Sequence, residues 1–264
     1  MSSTTQRGCH SSKSVKTEWL VFSLRGSSPH RTHLTVSKVY EAKGLEFLGT
    51  PSTNTKVASV RIPQLLTFDC DNHILILEDV GDIPSLKSWL RADSPLDQVT
   101  SVGRSLGSYL AHIHNTTASD PAITDAFDSN TVGKKLSSLV YYNSLPAAAG
   151  KFGYIQPFIA DAADHAAQEV LNAEEVLTLG DFWTGNVLVS APNEQVEPKL
   201  TIVDLELAKP GTAAFDIGQM GAEMLCLARF RSEDRGSLLL QAFFQAYKTE
   251  SEAKVDAAAV AIRM

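Results

Sequence analysis

Apolar residues recur along this chain with two distinct periods. In residues 34–48 (LTVSKVYEAKGLEFL), Val39, Ala42, Leu45, Phe47 and Leu48 fall largely along one helical face, which predicts a first helix stopped by Gly49. Residues 61–68 and 74–77, joined by a polar turn at 69–72, read as the two extended arms of a hairpin. After Gly81 the period lengthens. Leu96, Val99, Leu106, Leu110 and Ile113 recur at helical spacing behind Ser94-Pro95, which reads as a cap and first turn, so a long core helix is expected to about His114. Further helices are predicted over 133–142, 157–171, 215–230, 237–247 and 255–262, and short strands over 176–178, 187–190 and 200–203. Upstream, only Trp19 to Phe22, read as one short strand, interrupts a segment rich in Ser, Thr, Lys and Arg. The simplest division is a poorly specified segment at 1–33, a helix-plus-hairpin unit at 34–80, and a mainly helical unit at 81–264.

Composition narrows the function classes. With 264 residues and 44% hydrophobic content the chain can bury a sizeable core. Lys plus Arg number 23 against 30 Asp plus Glu, a formal charge of -7 that is opposite to the footprint of a phosphate-backbone binder, so no nucleic-acid partner is expected. No apolar run reaches the roughly 18–20 residues of a membrane span, and the polar start reads as a frayed terminus and not a secretory signal. Three scattered cysteines, Cys9, Cys70 and Cys226, suit a reducing compartment, and a cytoplasmic protein is expected. Oligomeric state is not legible.

Candidate chemistry concentrates in LTLGDFWTGNVLVS (177–190) and LTIVDLELAK (200–209). In each, an apolar strand delivers a carboxylate to a turn: Asp181 after the first, Asp204 at the end of the second. Asn186 precedes the next strand, so one loop can turn a carboxylate and an amide oxygen toward a shared point, a donor set that suits magnesium. Phosphoryl transfer needs such groups: a carboxylate to orient the acceptor hydroxyl, and Asn and Asp oxygens to hold the metal that neutralises phosphate charge. The spacing D-x-x-x-x-N followed by an Asp on the next hairpin is that of the protein-kinase catalytic loop. Alone, D-x-x-x-x-N is expected about once by chance in a chain of this composition; its conjunction with the flanking strands carries the information.

These segments resemble the aminoglycoside phosphotransferase family of the protein-kinase-like fold, particularly its fungal-type members. GDFWTGNVLV (180–189) is similar to the family's H-G-D-x-x-x-x-N-x-L, and IVDLELAKPGTAAFDIG (202–218) to its I-D-x-E followed by D-I-G. Weaker likenesses occur at 41–48, 62–68, 74–81 and 106–115, so the resemblance spans roughly 36–250. It implies an α+β, two-lobed kinase-like fold with a reduced β-containing N-lobe and a mainly helical C-lobe. The chain is expected to be shortened at both ends relative to the family. Also implied is an ATP- and Mg²⁺-dependent phosphotransferase with an alcohol acceptor on a small molecule. Asp181 would be the base, Asn186 and Asp204 the metal ligands, and Glu206 a second acid beside the metal. Asp216 would bond the catalytic-loop backbone, the backbone at Glu78, Asp79 and Val80 would hold adenine, and Glu41 would pair with a phosphate-binding lysine. Lys16 and Lys38 both remain candidates for that lysine. Gly8 and Gly26 are isolated, no phosphate-cradling loop is read, and Leu179 stands where the family has His. These departures leave an alternative, a non-catalytic kinase-like binding or scaffold protein.

Other residues read as ordinary. His112 and His114 close a helix, and His165 sits in an alanine-rich one. Cys70 and Cys226 read as small buried hydrophobes, and Glu223, Glu233 and Asp234 as a solvated face or an acidic rim. Trp183 reads as a packing wedge under the loop or an aromatic at a cleft mouth.

Overall fold

The computed structural model describes residues 30–50, 57–118, 120–127, 130–191, 193, 195–253 and 255–264. The predicted strand at 19–22, together with Lys16, lies outside them. Helix α1 (His30–Leu48) begins four residues earlier than its periodicity suggested and buries Tyr40, Ala42, Leu45 and Leu48. Strand β1 (Val60–Arg61) is followed by the hairpin of β2 (Leu65–Asp69) and β3 (Ile74–Leu77), with Asp69 opposite Ile74. Asp69 stabilises the turn by accepting from the Asn72 backbone N–H at 3.0 Å and from its side-chain amide at 2.8 Å.

A short helix α2 (Leu86–Arg91) comes next, capped by Ser85. Its six residues are too few to show a period, which is why it is silent in the sequence. The long helix α3 (Leu96–Thr117) buries Val99, Val102, Leu106, Leu110 and Ile113 along the predicted face. Its N-cap is Pro95, whereas Ser94, expected as the cap, turns its hydroxyl back to the Trp89 carbonyl. Short helices α4 (Pro121–Phe127) and α5 (Thr131–Ser137) lead into a π-helical turn, Ser138–Asn143, where one uninterrupted helix was expected. Then follow α6 (Leu145–Lys151) and α7 (Pro157–Asn172).

Four strands build the platform of the site. Strand β4 (Val176–Thr178) pairs antiparallel with β7 (Lys209–Gly211), and β5 (Val187–Ser190) antiparallel with β6 (Lys199–Ile202). On its other edge β6 takes β1 in parallel, Val60 opposite Leu200. The β4–β5 and β6–β7 connections therefore emerge beside one another, carrying Asp181 with Asn186 on one and Asp204 with Glu206 on the other. Helices α8 (Ala213–Phe230), α9 (Glu233–Glu250) and α10 (Ala257–Arg263) complete the fold.

Helices α3 and α9 touch at backbone distance. A Cβ on Gly103 would stand 2.6 Å from the Leu239 carbonyl oxygen, and one on Gly107 would stand 2.3 Å from that of Phe243. Gly107→Val is therefore expected to lower stability by about 1–3 kcal/mol or more, since neither helix backbone can yield; a urea midpoint unchanged from the parent would contradict this packing.

Candidate active site

Asp181 sits after β4 in a loop anchored from below. Asp216, fully buried in the first turn of α8, accepts from the backbone N–H groups of Leu179 at 2.7 Å and Gly180 at 3.1 Å. Gly180 has φ +84, and a Cβ there would lie 1.9 Å from the Leu207 carbonyl, so glycine is required both by conformation and by close approach of the two loops. Leu179, where the family places His, is buried in the apolar core beneath them.

The Asp181 carboxylate is held from three directions. Its Oδ1 accepts from the Tyr141 hydroxyl at 2.7 Å and Gln219 Nε2 at 2.9 Å, and its Oδ2 from Asn186 Nδ2 at 2.9 Å. Asn186 Nδ2 also meets the Asp181 carbonyl at 3.1 Å, which commits the amide nitrogen and leaves Oδ1 as the atom available to a cation. Gln219 further accepts from the Phe182 backbone N–H at 3.1 Å.

Asp204 follows β6 with φ 65, a left-handed conformation costly for a non-glycine residue and typical of functional loops. Its carboxyl, though still reached by solvent, is raised from the ordinary range to about 6, first by the atoms that strip water from it and then by the charges of Glu206, Glu41 and Asp181, with Lys38 opposing. Among the described residues no three His, Cys, Asp or Glu side chains gather closely enough to hold a metal alone. Magnesium takes one or two protein ligands and fills its shell with phosphate and water. The donor set of Asp204, Glu206 and the Asn186 oxygen fits such an ion.

The lysine beside Glu41 is Lys38, one turn earlier on the same helix, bonded to the Glu41 carboxylate. Burial works against its charge, but the hydrogen bond and charge of Glu41, aided by Glu206 and Asp204, outweigh it and hold the ammonium above its usual pKa. Lys38 and Glu41 share a cavity of about 320 Å³ with Leu75, Leu77, Val203 and the Glu78–Gly81 segment. Within that segment the Glu78 carboxylate is taken by Arg61, at 2.7 and 2.8 Å, and its N–H by the Gln64 carbonyl. Any adenine contact from Glu78 therefore falls to its carbonyl.

A second cavity, about 460 Å³, is bordered by Asp181. Tyr141, Tyr142, Trp183 and Phe215 wall it with aromatic surface, and Gln219 and Glu223 add polar atoms. Trp183 thus lies at a cavity wall, with the Lys87 ammonium 5.0 Å from its ring centroid. Glu223 is loosely engaged, 3.6 Å from that ammonium and 3.3 Å from the Thr184 hydroxyl.

Several of these residues were not singled out as site residues from sequence. Gln219 and Glu223 follow Asp216, itself anticipated as the loop anchor, at intervals of three and four along α8, so one helical face carries the loop anchor, the partner of Asp181 and the cavity acid; that period was readable. Tyr141 had no such signal, because the π-turn that presents it breaks the period. His114, in the last turn of α3, is a fully buried ring, 3.5 Å from Asp216 and 2.9 Å from the Tyr247 hydroxyl. Cys70 and Cys226, expected inside, are exposed.

Carboxylate-bearing loops that each border one of these cavities, on an α+β scaffold, define a protein-kinase-like fold. The chain belongs to the phosphotransferase enzyme family APH, whose model matches residues 55–258. It is 32% identical over 208 residues to a 4-hydroxytryptamine kinase of Psilocybe cubensis, covering 76% of this chain and 57% of the relative. It is also 29% identical over 215 residues to that of Psilocybe cyanescens, covering 79% and 59%. The chain thus spans less than three fifths of the length of these curated relatives. Among solved structures, an aminoglycoside-3'-phosphotransferase of type VIII matches with TM-score 0.55 at 16% identity, over 93% of this chain and 82% of that one. ADP-bound aminoglycoside phosphotransferase APH(2'')-Ib matches with TM-score 0.50 at 14% identity, over 88% and 74%. These likenesses confirm the kinase-like fold. Among the described residues, no helix is long and apolar enough to cross a membrane.

Proposed function

We propose that this protein transfers the terminal phosphoryl group of ATP to a hydroxyl of a small aromatic amine. The observation that carries this reading is the placement of Asp204. Its carboxyl feels Asp181, which borders the aromatic cavity, and also Glu41 and Lys38, which border the other. Asp204 thus lies within electrostatic reach of residues of both cavities.

The nucleotide would occupy the cavity of Lys38, Glu41 and the Glu78–Val80 backbone, with Lys38 as a cation for its phosphates. Asp204, Glu206 and the Asn186 oxygen would hold Mg²⁺. The ion supplies neutralisation of the charge that builds on the phosphates. Asp181, fixed by Tyr141, Gln219 and Asn186, would orient the acceptor hydroxyl and take its proton. Aromatic walls suit a flat ring, and Glu223 a protonated amine. The names of the Psilocybe relatives support the same acceptor class, a hydroxyindole bearing an amine.

ATP with Mg²⁺ at a hundred times its dissociation constant should stabilise the protein by about 2.7 kcal/mol in a thermal titration. Incubation with 4-hydroxytryptamine should then yield its phosphate ester by mass spectrometry. Neither stabilisation nor ester would leave a non-catalytic binding role in place of this one. Glu223→Gln is expected to raise KM for that amine roughly two- to fivefold, the size of a half-exposed ion pair, with kcat retained. An unchanged KM would remove Glu223 from acceptor recognition.

A further inference from the structure

Lys209 opens β7 with its side chain fully buried, 1% of the residue being exposed. Its backbone is fixed by pairing with Thr178, whose hydroxyl donates to the Lys209 carbonyl at 2.8 Å. The ammonium donates to the Leu207 carbonyl at 3.2 Å and lies 4.5 Å from the ring centroid of Phe215. A carbonyl and an aromatic face are meagre compensation for a cation removed from water. An apolar side chain of similar volume would serve packing as well or better. Stability therefore does not account for this lysine.

Its two contacts both lead to Asp181. The Leu207 carbonyl is the group against which Gly180 is pressed, so the ammonium grips the β6–β7 loop at the point where that loop meets the catalytic one. Phe215 packs edge-on against Tyr141, ring centroids 5.7 Å apart, and Tyr141 donates to Asp181. The charged groups that face Lys209 are Asp216 and Asp181, which favour its ammonium, and Lys134, which opposes it. Lys134 is itself drawn toward Glu174, at 3.6 Å, and Asp216 faces His114.

We propose that Lys209 is a positioning residue for phosphoryl transfer: its buried ammonium clamps the metal-side loop against the catalytic loop at Gly180 and steadies the aromatic wall that directs Tyr141 onto Asp181. The inference rests on the phosphotransferase reading above and requires no contact between Lys209 and either substrate. Burial, working against Asp216 and Asp181, lowers the ammonium to about 8, so the clamp should loosen as pH rises through that value.

Lys209→Met and the parent are compared in kcat, KM and thermal midpoint across pH 6.5–9.5. The parent should lose kcat through about pH 8. Lys209→Met should keep its KM for ATP, melt at or above the parent's midpoint at pH 7, turn over roughly ten- to hundredfold more slowly there, and lack the alkaline decline. A variant with the parent's kcat and pH profile overturns the proposal. Should the variant not fold, the parent decides. Because the folded-state pKa lies below the ordinary 10.5, the cost of burying the charge is full below about pH 8 and is relieved above it. The group's contribution to stability should then rise while kcat falls. An alkaline loss of kcat that is absent, or that tracks a falling midpoint, overturns the clamp. A parent with no turnover on any acceptor overturns the function and the clamp together, whereas turnover with an indifferent Lys209 overturns the clamp alone.

Discussion

Asp181→Asn is expected to lower kcat by roughly 10²–10⁴-fold while the stabilisation by ATP and Mg²⁺ persists. The substitution keeps the shape of the side chain and an oxygen for Tyr141 and Gln219, and removes the capacity to take a proton. Its new amide would face that of Asn186, a conflict relieved when one of the two amides turns. Asn is the informative choice, because Ala would leave three donors without their acceptor and confuse a chemical defect with a structural one. Single-turnover measurement separates the step affected. A variant within about threefold of the parent would show that Asp181 only organises the loop, and the acceptor proton would need another destination.

Asp204→Asn should behave differently in the two halves of the same experiment. Without metal the variant is expected to melt at or above the parent's temperature at pH 7–8. The folded-state carboxyl is raised to about 6 from 3.8, so charging it in the fold opposes stability, fully so above about pH 6. With ATP, the variant should lose most of the Mg²⁺-dependent part of the thermal shift. Its turnover should fall roughly 10²-fold or more, the scale of removing a charge-stabilising group. Equal Mg²⁺ response in parent and variant would move the metal site elsewhere. Gain in the one state with loss in the other is the mark of a residue placed for chemistry and not for the core.

What could be read beforehand follows from which physical signals are local. The hairpin at 65–77, the long helix ending near His114, and the strands that flank Asp181 and Asp204 all announce themselves by period and turn residues, and the structure has them. The loop anchor Asp216 was legible because its motif sits within a dozen residues of Asp204. Helices α2, α4 and α6 were silent, being six or seven residues long. Tyr141 reaches Asp181 across forty positions of chain, and the choice of Lys38 as the partner of Glu41, one turn away on the same helix, was left open. His114 does fall in the last turn of α3, but its burial against Asp216 of α8 and Tyr247 of α9 joins it to elements more than a hundred residues away. Such pairings depend on how elements meet, which no window of residues contains.

The bare backbone seam at Gly103 and Gly107 acts on more than the helices it joins. Along the same two helices, Tyr247 holds His114, and His114 abuts the carboxylate that suspends Leu179 and Gly180. The gap between α3 and α9 is thus the gauge by which the loop's height is set. A bulkier side chain at the seam that the protein survives should still register as slower turnover, so folding and turnover cannot be tuned independently there.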